Sequence, residues 1–334
     1  MARRRRAESG EERLIARFFR PIATDPGALG LIDDAAIWTP PPDTDLVLKT
    51  DAIVGGVHFF PGDPPGAVAQ KALRVNLSDL AAKGAQPAGF LLALAIPKSV
   101  KDAWLAGFAR GLGQDAAAFG CPLFGGDTDR TPGPITISIA AFGHVPRGAM
   151  VRRSRAKAGD LVFVTGTVGD ATLGLLLRRR PKRAAFRKME RADKTHLAER
   201  YLLPQPRLGL ANVLREFATA SIDVSDGLVG DLGKLAAASG LGARIEAADV
   251  PLSSAARAAV AVEPGLFKSV VSGGDDYEIV CTVPEPKGAA FEVAATAAGV
   301  AVTPIGRMRA GEGVEIIAAD GKPLKLAQTS FSHF

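Results

Sequence analysis

The chain has 334 residues, of which 47% are apolar and 23% charged, and its formal net charge is +6. The length suggests two domains, and the apolar share is sufficient for sizeable cores. Two cysteines exclude a disulfide framework, and no apolar run reaches the roughly 18 residues of a membrane helix. The beginning of the chain lacks the apolar segment of a signal peptide, so we expect a cytoplasmic protein without a membrane partner.

The positive charge is concentrated in two segments. Arg3–Arg6 contributes four charges, and residues 178–191 contain eight basic residues against the single acidic Glu190. Without these segments the rest of the chain has a net negative charge. This distribution favours a basic disordered tail over residues 1–10 and one solvated surface segment, and it disfavours nucleic acid as a partner.

Hydrophobic periodicity predicts alternating helices and strands in the first part of the chain. In chain order these are a helix over 12–19, a strand over 45–50, a helix over 67–84, a strand over 89–96 and a helix over 103–119. A short run at 123–124 then leads into a Gly-Gly-Asp turn, and a strand rich in β-branched residues is predicted over 135–143.

A polar stretch over 146–160 predicts a domain boundary. A strand over 161–165 and a helix over 171–177 follow it, and a basic linker is predicted up to residue 207. The remainder is predicted to contain helices over 208–217 and 228–239, a strand–turn–strand pair over 268–283, and short strands after residue 300. We therefore predict an α+β protein with domains over 11–146 and 147–334.

Acidic motifs recur along the whole chain, most of them after an apolar run. Carboxylates that meet in space repel one another, at a cost of roughly 4 kcal/mol per pair at about 4 Å and an effective dielectric constant near 20. A fold that gathers them needs a cation, and hard oxygen ligands suit Mg²⁺ with phosphate. A single such motif is equally well a polar turn. The motifs occupy residues 32–36, 49–51, 76–79, 125–129, 223–227 and 273–278.

The turn after residue 165 does not have the sequence of a known phosphate-binding loop. It lacks the Gly-Lys-Ser/Thr of a P-loop and the glycine pattern of a dinucleotide fingerprint. Binding of ATP by this chain would therefore depend on metal ions bridged by carboxylates.

In this order, the motifs resemble those of the thiamine-monophosphate kinase family, which is related to aminoimidazole ribonucleotide synthetase. The resemblance runs from Glu11 to the C-terminus. Its most specific parts are the Val75–Ala82 segment and the last two acidic motifs. Further matching segments are 14–17, 33–36, 50–51, 56–59, 71–74, 125–128, 153–154, 164–167, 204–207 and 332–334.

The resemblance implies an ATP- and Mg²⁺-dependent kinase that converts thiamine monophosphate to thiamine diphosphate. It also implies an aminoimidazole ribonucleotide synthetase-like fold, with an N-terminal α/β domain that pairs in a homodimer and a C-terminal α/β domain that covers nucleotide and substrate. No catalytic side-chain nucleophile is expected, because direct in-line transfer needs none.

The resemblance also assigns site residues by motif. The implied metal ligands are Asp33, Thr50, Asp51, Asp79, Asp127, Asp223 and Asp226. The implied ATP-binding residues are Gly126, Asp127, Arg153 and Ser225. The implied residues for thiamine monophosphate are His58, Glu278 and Phe331.

Three positions depart from the family pattern. Ile32 replaces a glycine before the first aspartate pair, Lys49 stands where a Ser or Thr ligand is common, and Ala109 replaces an aromatic residue expected at the nucleotide. These departures keep two alternatives open. One is a related ATP-dependent synthetase, and the other is a nucleotide-binding regulatory protein without turnover.

Overall fold

The structure, a computed structural model, describes residues 9–330 and divides into two units. The first comprises the chain up to Asn76 together with Pro87–His144. The second comprises Leu77–Gln86 together with the chain from Val145 onward. A single boundary near residue 146 does not anticipate that Leu77–Gln86 belongs to the second unit.

The first unit is built on a four-stranded sheet. Its strands are β1 (Thr44–Val54), β2 (Gln86–Ile96), β3 (Leu123–Arg130) and β4 (Thr136–Pro146), and its helices are α1 (Gly10–Leu14), α2 (Pro65–Ala82) and α3 (Asp102–Ala118). The strand order is β1-β4-β2-β3, with β2 and β3 parallel. On α3 the buried residues recur at a spacing of three to four, whereas α2 has no exposed residue and is buried on most of its surface. Phe108 and Leu112, for example, are fully buried on α3.

The N-terminal helix is shorter than predicted. The Ser9 hydroxyl accepts the backbone N–H of Glu12 at 3.0 Å in a capping box, and α1 ends at Leu14. A π-helical turn, Ile15–Phe19, continues the chain and buries Phe18 and Phe19. The apolar face predicted over 12–19 is therefore present, carried by two kinds of helical turn.

The second unit contains a mixed six-stranded sheet. Its strands are β5 (Leu161–Thr165), β6 (Ala220–Val224), β7 (Gly242–Glu246), β8 (Glu278–Val283), β9 (Val302–Arg309) and β10 (Val314–Ile317). The order is β10-β7-β9-β5-β8-β6; β10 pairs with β7 in parallel, and the other pairs are antiparallel. Its helices are α4 (Asp170–Arg179), α5 (Ala184–Arg187), α6 (Arg191–Leu202), α7 (Ala211–Phe217), α8 (Leu228–Ala238), α9 (Ser254–Val262), α10 (Leu266–Ser272) and α11 (Gly288–Ala297).

Two predicted segments of the second unit are wrong. The first strand of the pair predicted over 268–283 is helix α10, because Val270 and Val271 pack into the core as helical residues. The predicted basic linker contains α5 and α6, and α6 buries Leu197 and Tyr201. Mixed sheets with helices nevertheless match the predicted α+β class. No helix within residues 9–330 combines the length and apolar character that a membrane span requires.

Candidate active site

A cavity in the first unit brings together acidic side chains from two separate motifs. Its volume is about 690 Å³, and Asp33, Asp34 and Asp127 line it together with Gly125 and Gly126. Carboxylate oxygens beside an apolar wall suit a metal-bound phosphate joined to a planar ring. The apolar wall includes Ile15, Phe19, Trp38, Leu48, Phe124 and Phe142.

A glycine is required at position 126 by the close approach of strand β2. Gly126 pairs with Leu92 in the parallel register, and its φ is +154°. A Cβ added there would lie 1.8 Å from the carbonyl oxygen of Leu92. Glycine at this position lets β2 and β3 approach closely beside Asp127, which also lines the cavity.

Strand β1 directs its two predicted ligands to opposite faces. Successive side chains alternate, so Thr50 lies on the face of Leu48, which lines the cavity, and Asp51 lies on the other face. The backbone N–H of Asp51 donates to Asn76 Oδ1 at 2.9 Å, and its carboxylate Oδ1 lies 3.1 Å from Lys49 Nζ. An ammonium group therefore sits at one predicted metal ligand.

The ring of His58 is oriented by the backbone of the same strand. The N–H of Val54 donates to His58 Nδ1 at 3.0 Å, and Lys71 Nζ donates to the His58 carbonyl oxygen at 3.0 Å. Because Nδ1 accepts, the proton of the neutral imidazole is on Nε2. The donor function predicted for His58 would therefore use Nε2.

In the second unit, a buried carboxylate holds the loop that follows β6. Asp231 accepts the backbone N–H groups of Ser225 at 3.0 Å and of Asp226 at 2.8 Å. Lys234 Nζ lies 2.5 Å from Asp226 Oδ2 and 2.8 Å from Asp231 Oδ1. Burial raises the pKa of Asp231. Burial alone would lower the pKa of Lys234, but its hydrogen bonds to Asp226 and Asp231 raise it above the usual value.

The other predicted residues of this unit differ in exposure. Asp223 is the last but one residue of β6, and Asp79 lies near the end of α2. Both are buried, with 4% and 9% exposed. Arg153 is exposed in a short 3₁₀ turn, where its carbonyl oxygen accepts the Ser239 hydroxyl at 2.8 Å. Phe331 lies outside the described residues.

Glu278 occupies an environment different from the predicted one. Its side chain is fully buried and accepts bonds from Arg200 at 2.8 Å, from Arg207 Nε at 2.7 Å and from the Thr165 hydroxyl at 2.6 Å. Burial would lower the pKa of Arg207, but the bonds to Glu278 raise it. A Cβ at Gly166 would lie 2.3 Å from Glu278 Oε1, so the surroundings are filled. In the structure this carboxylate is therefore paired with two guanidinium groups, and its predicted contact with the substrate stays a prediction.

Sequence reasoning missed a second buried acidic group beside this network. Asp276 accepts the N–H groups of Gly169 at 2.6 Å and Ala171 at 3.2 Å, at the start of α4. Burial raises the pKa of Asp276 to about 8. Asp170, also buried, accepts the Ser253 hydroxyl at 2.5 Å and lies 3.1 Å from His196 Nε2. The signals in the sequence were the acidic motif over 273–278, which contains Asp276, and the glycine-containing turn before α4.

Two of the residues that depart from the family pattern differ in their exposure to solvent. Ile32 is 77% exposed, and Ala109 is buried on α3, with 5% exposed.

Within residues 9–330, no group of three or more His, Cys, Asp or Glu side chains is arranged to hold a metal ion. The donor chemistry of the cavity still fits Mg²⁺, which takes one or two carboxylates and completes its shell with water and phosphate oxygens.

Comparisons with known proteins extend this description. Residues 32–145 match the N-terminal domain, and residues 157–319 the C-terminal domain, of the AIR synthase related proteins. The chain is 45% identical over 304 residues to a thiamine-monophosphate kinase of Caulobacter vibrioides, covering 90% of this chain and 84% of the relative. It is 42% identical to the Escherichia coli K12 thiamine-monophosphate kinase over 97% of this chain and 98% of that protein.

Two solved structures are similar to this chain over most of their length. A thiamine-monophosphate kinase from Stenotrophomonas maltophilia K279a superposes with a TM-score of 0.82 and 38% identity, covering 94% of this chain and 96% of that one. AaThiL complexed with AMPPCP and TMP superposes with a TM-score of 0.77 and 31% identity, covering 92% and 97%.

Proposed function

Because this chain belongs to the AIR synthase related family and, within it, to the thiamine-monophosphate kinases, we propose that it phosphorylates thiamine monophosphate to thiamine diphosphate with ATP. The chain is a phosphotransferase, and it has the two-domain fold that the sequence predicted. The proposed reaction is a direct in-line transfer of the γ-phosphoryl group to the phosphate of the acceptor.

The cavity of the first unit carries this proposal. Its volume, about 690 Å³, lies in the range of small-molecule sites, and it combines Asp33, Asp34 and Asp127 with the Gly125–Gly126 backbone and an apolar wall. The acceptor oxygen already belongs to a phosphate, so the reaction needs no strong base. Its main demand is to hold several negative charges together.

The residues proposed to hold Mg²⁺ supply hard oxygen donors. In the first unit they are Asp33, Thr50, Asp51 and Asp127, and in the second Asp79, Asp223 and Asp226. When bound, the metal would neutralise phosphate charge. The protein's own part is to position these residues, and the backbone N–H groups of Asp51 and Asp226 are held by Asn76 and Asp231.

Cationic and backbone groups are proposed to hold the phosphates. The backbone at Gly126, with Arg153 and Ser225, would bind those of ATP, and His58 Nε2 would donate to the acceptor phosphate. Glu278 is retained as a proposed contact of thiamine monophosphate, and in the structure its carboxylate is paired with Arg200 and Arg207. Phe331 is retained as a proposed contact of the thiamine ring.

A homodimer is also proposed, formed through the first unit. Its surface exposes apolar side chains outside the cavity that a monomer would leave in water: Ile37 is 64% exposed and Val57 50%. A cytoplasmic location remains our proposal, and the buried free thiols of Cys121 and Cys281 are compatible with it. A sedimentation measurement of the wild type and of Ile37→Glu tests the dimer. We expect a dimer that the substitution dissociates, and a wild-type monomer at micromolar concentration contradicts the proposal.

The activity is tested by incubating the protein with ATP and Mg²⁺, and with thiamine monophosphate, thiamine or no acceptor. We expect ADP and thiamine diphosphate in equal amounts, and only with thiamine monophosphate. ADP formation that requires an amide or carbonyl acceptor instead would indicate a synthetase. Nucleotide binding without ADP formation under any condition would indicate a regulatory protein.

A further inference from the structure

Two lysines lie against carboxylates that are proposed to bind magnesium. On β1, Lys49 and Asp51 are two residues apart, so their side chains share a face of the strand. The Lys49 ammonium lies 3.1 Å from Asp51 Oδ1, and the two side chains are 28% and 38% exposed. The pair therefore neutralises this carboxylate at a solvent-accessible position.

The second lysine is held by two carboxylates at once. Lys234 lies 2.5 Å from Asp226 and 2.8 Å from Asp231. Asp226 is 37% exposed on its side chain, whereas Asp231 is only 1% exposed. An ammonium displaced from Asp226 would thus keep its bond to Asp231, and the charge would remain close to the loop.

We propose that Lys49 and Lys234 are built-in counter-cations that compete with Mg²⁺ for Asp51 and Asp226. This inference depends on the metal-ligand role that we propose for these two aspartates. Each ammonium pairs with one of the two oxygens of its carboxylate. A magnesium ion bound by the same carboxylate would lie close to that ammonium and be repelled by it, so the two cations compete for the carboxylate charge.

Exposure determines how strong this competition is. Ion pairs in contact with water are worth little, because solvent screens them. Removing the ammonium should therefore lower the magnesium dissociation constant by only about two- to fivefold for each lysine. In the metal-free protein, the same lysines remove repulsion at Asp51 and between Asp226 and Asp231.

The test is a calorimetric titration of the full chain with MgCl₂ in the absence of nucleotide, so that turnover plays no part. The variants are Lys49→Met and Lys234→Met, with Lys101→Met as the control, because Lys101 is an exposed lysine at the start of α3. We expect the magnesium dissociation constant to fall about two- to fivefold in the first two variants and to stay at the wild-type value in the control. Adding Asp51→Asn to Lys49→Met should cancel the gain.

The outcomes separate this inference from the proposed metal site. Equal magnesium affinity in all proteins overturns the competition and leaves the metal site in place. An absence of magnesium binding in every protein, with or without ATP, overturns both. Thermal melting identifies any Lys234→Met protein that is not folded, and in that case Lys49→Met decides the question alone.

Discussion

Replacing Gly126 by alanine should damage the protein far more than the same change at Gly125. Both glycines line the cavity and belong to β3. At Gly126 the new Cβ would lie 1.8 Å from the Leu92 carbonyl oxygen, and φ is +154°. At Gly125 the nearest atom would be Leu91 Cδ2 at 3.6 Å, an ordinary contact.

The expected magnitude follows from these distances. Alanine at 126 requires β2 and β3 to separate, and overpacking together with backbone strain costs about 2–6 kcal/mol of unfolding free energy. Alanine at 125 should change it by less than about 1 kcal/mol. Urea denaturation of both variants, followed by circular dichroism, measures the difference. Titration with AMPPCP then shows whether the surviving Gly126→Ala protein has lost nucleotide affinity.

The result that refutes this reasoning is simple to recognise. Equal urea midpoints for the two variants would mean that the approach of Leu92 does not require glycine at 126. A stable Gly126→Ala protein with normal AMPPCP affinity would in addition remove the backbone at this position from the proposed phosphate site.

Three further changes test individual groups. Burial raises the pKa of Asp276 to about 8. Between about pH 4 and pH 8 the folded protein therefore holds a proton that the unfolded chain has released, so the free energy of unfolding should fall as pH rises. Asp276→Asn should flatten this slope in urea midpoints measured from pH 5 to pH 8, and an unchanged slope contradicts the assignment. Glu278→Gln should lower the unfolding free energy by about 3–5 kcal/mol, because it leaves the buried charges of Arg200 and Arg207 without their carboxylate; wild-type stability would show that they find other partners. Asp127→Asn should reduce turnover by about 10²–10³-fold with an unchanged melting temperature, and near-normal turnover would exclude Asp127 as a ligand.

Long periodic segments were the part of the fold that the sequence could predict. Helices α2 and α3 and strands β1 and β2 were anticipated because their apolar residues recur with one clear period. Helix α10 was mistaken for a strand because its β-branched Val270 and Val271 favour strands locally, whereas their full burial in the core determines the structure. Helix α6 was missed because its apolar residues are sparse among charged ones.

The candidate site was predictable in its acidic residues but not in their partners. Short motifs mark where carboxylates lie along the chain, and Asp33 and Asp127 do line one cavity. The arginines that enclose Glu278 are 78 and 71 residues away in sequence, and no local pattern connects groups at that separation. A motif can therefore indicate a functional region while leaving open whether each carboxylate faces a ligand or an internal cation.

Internal cations change how the charge repulsion of the acidic motifs is balanced. Acidic motifs that converge in space need a cation to offset their mutual repulsion. In the folded chain, Asp51 and Asp226 each have an ammonium group nearby, and Glu278 has two guanidinium groups. For Asp33 and Asp127, the described residues supply no lysine or arginine within ion-pair distance. At the cavity of the first unit, phosphate and Mg²⁺ would together balance the charge of these two carboxylates.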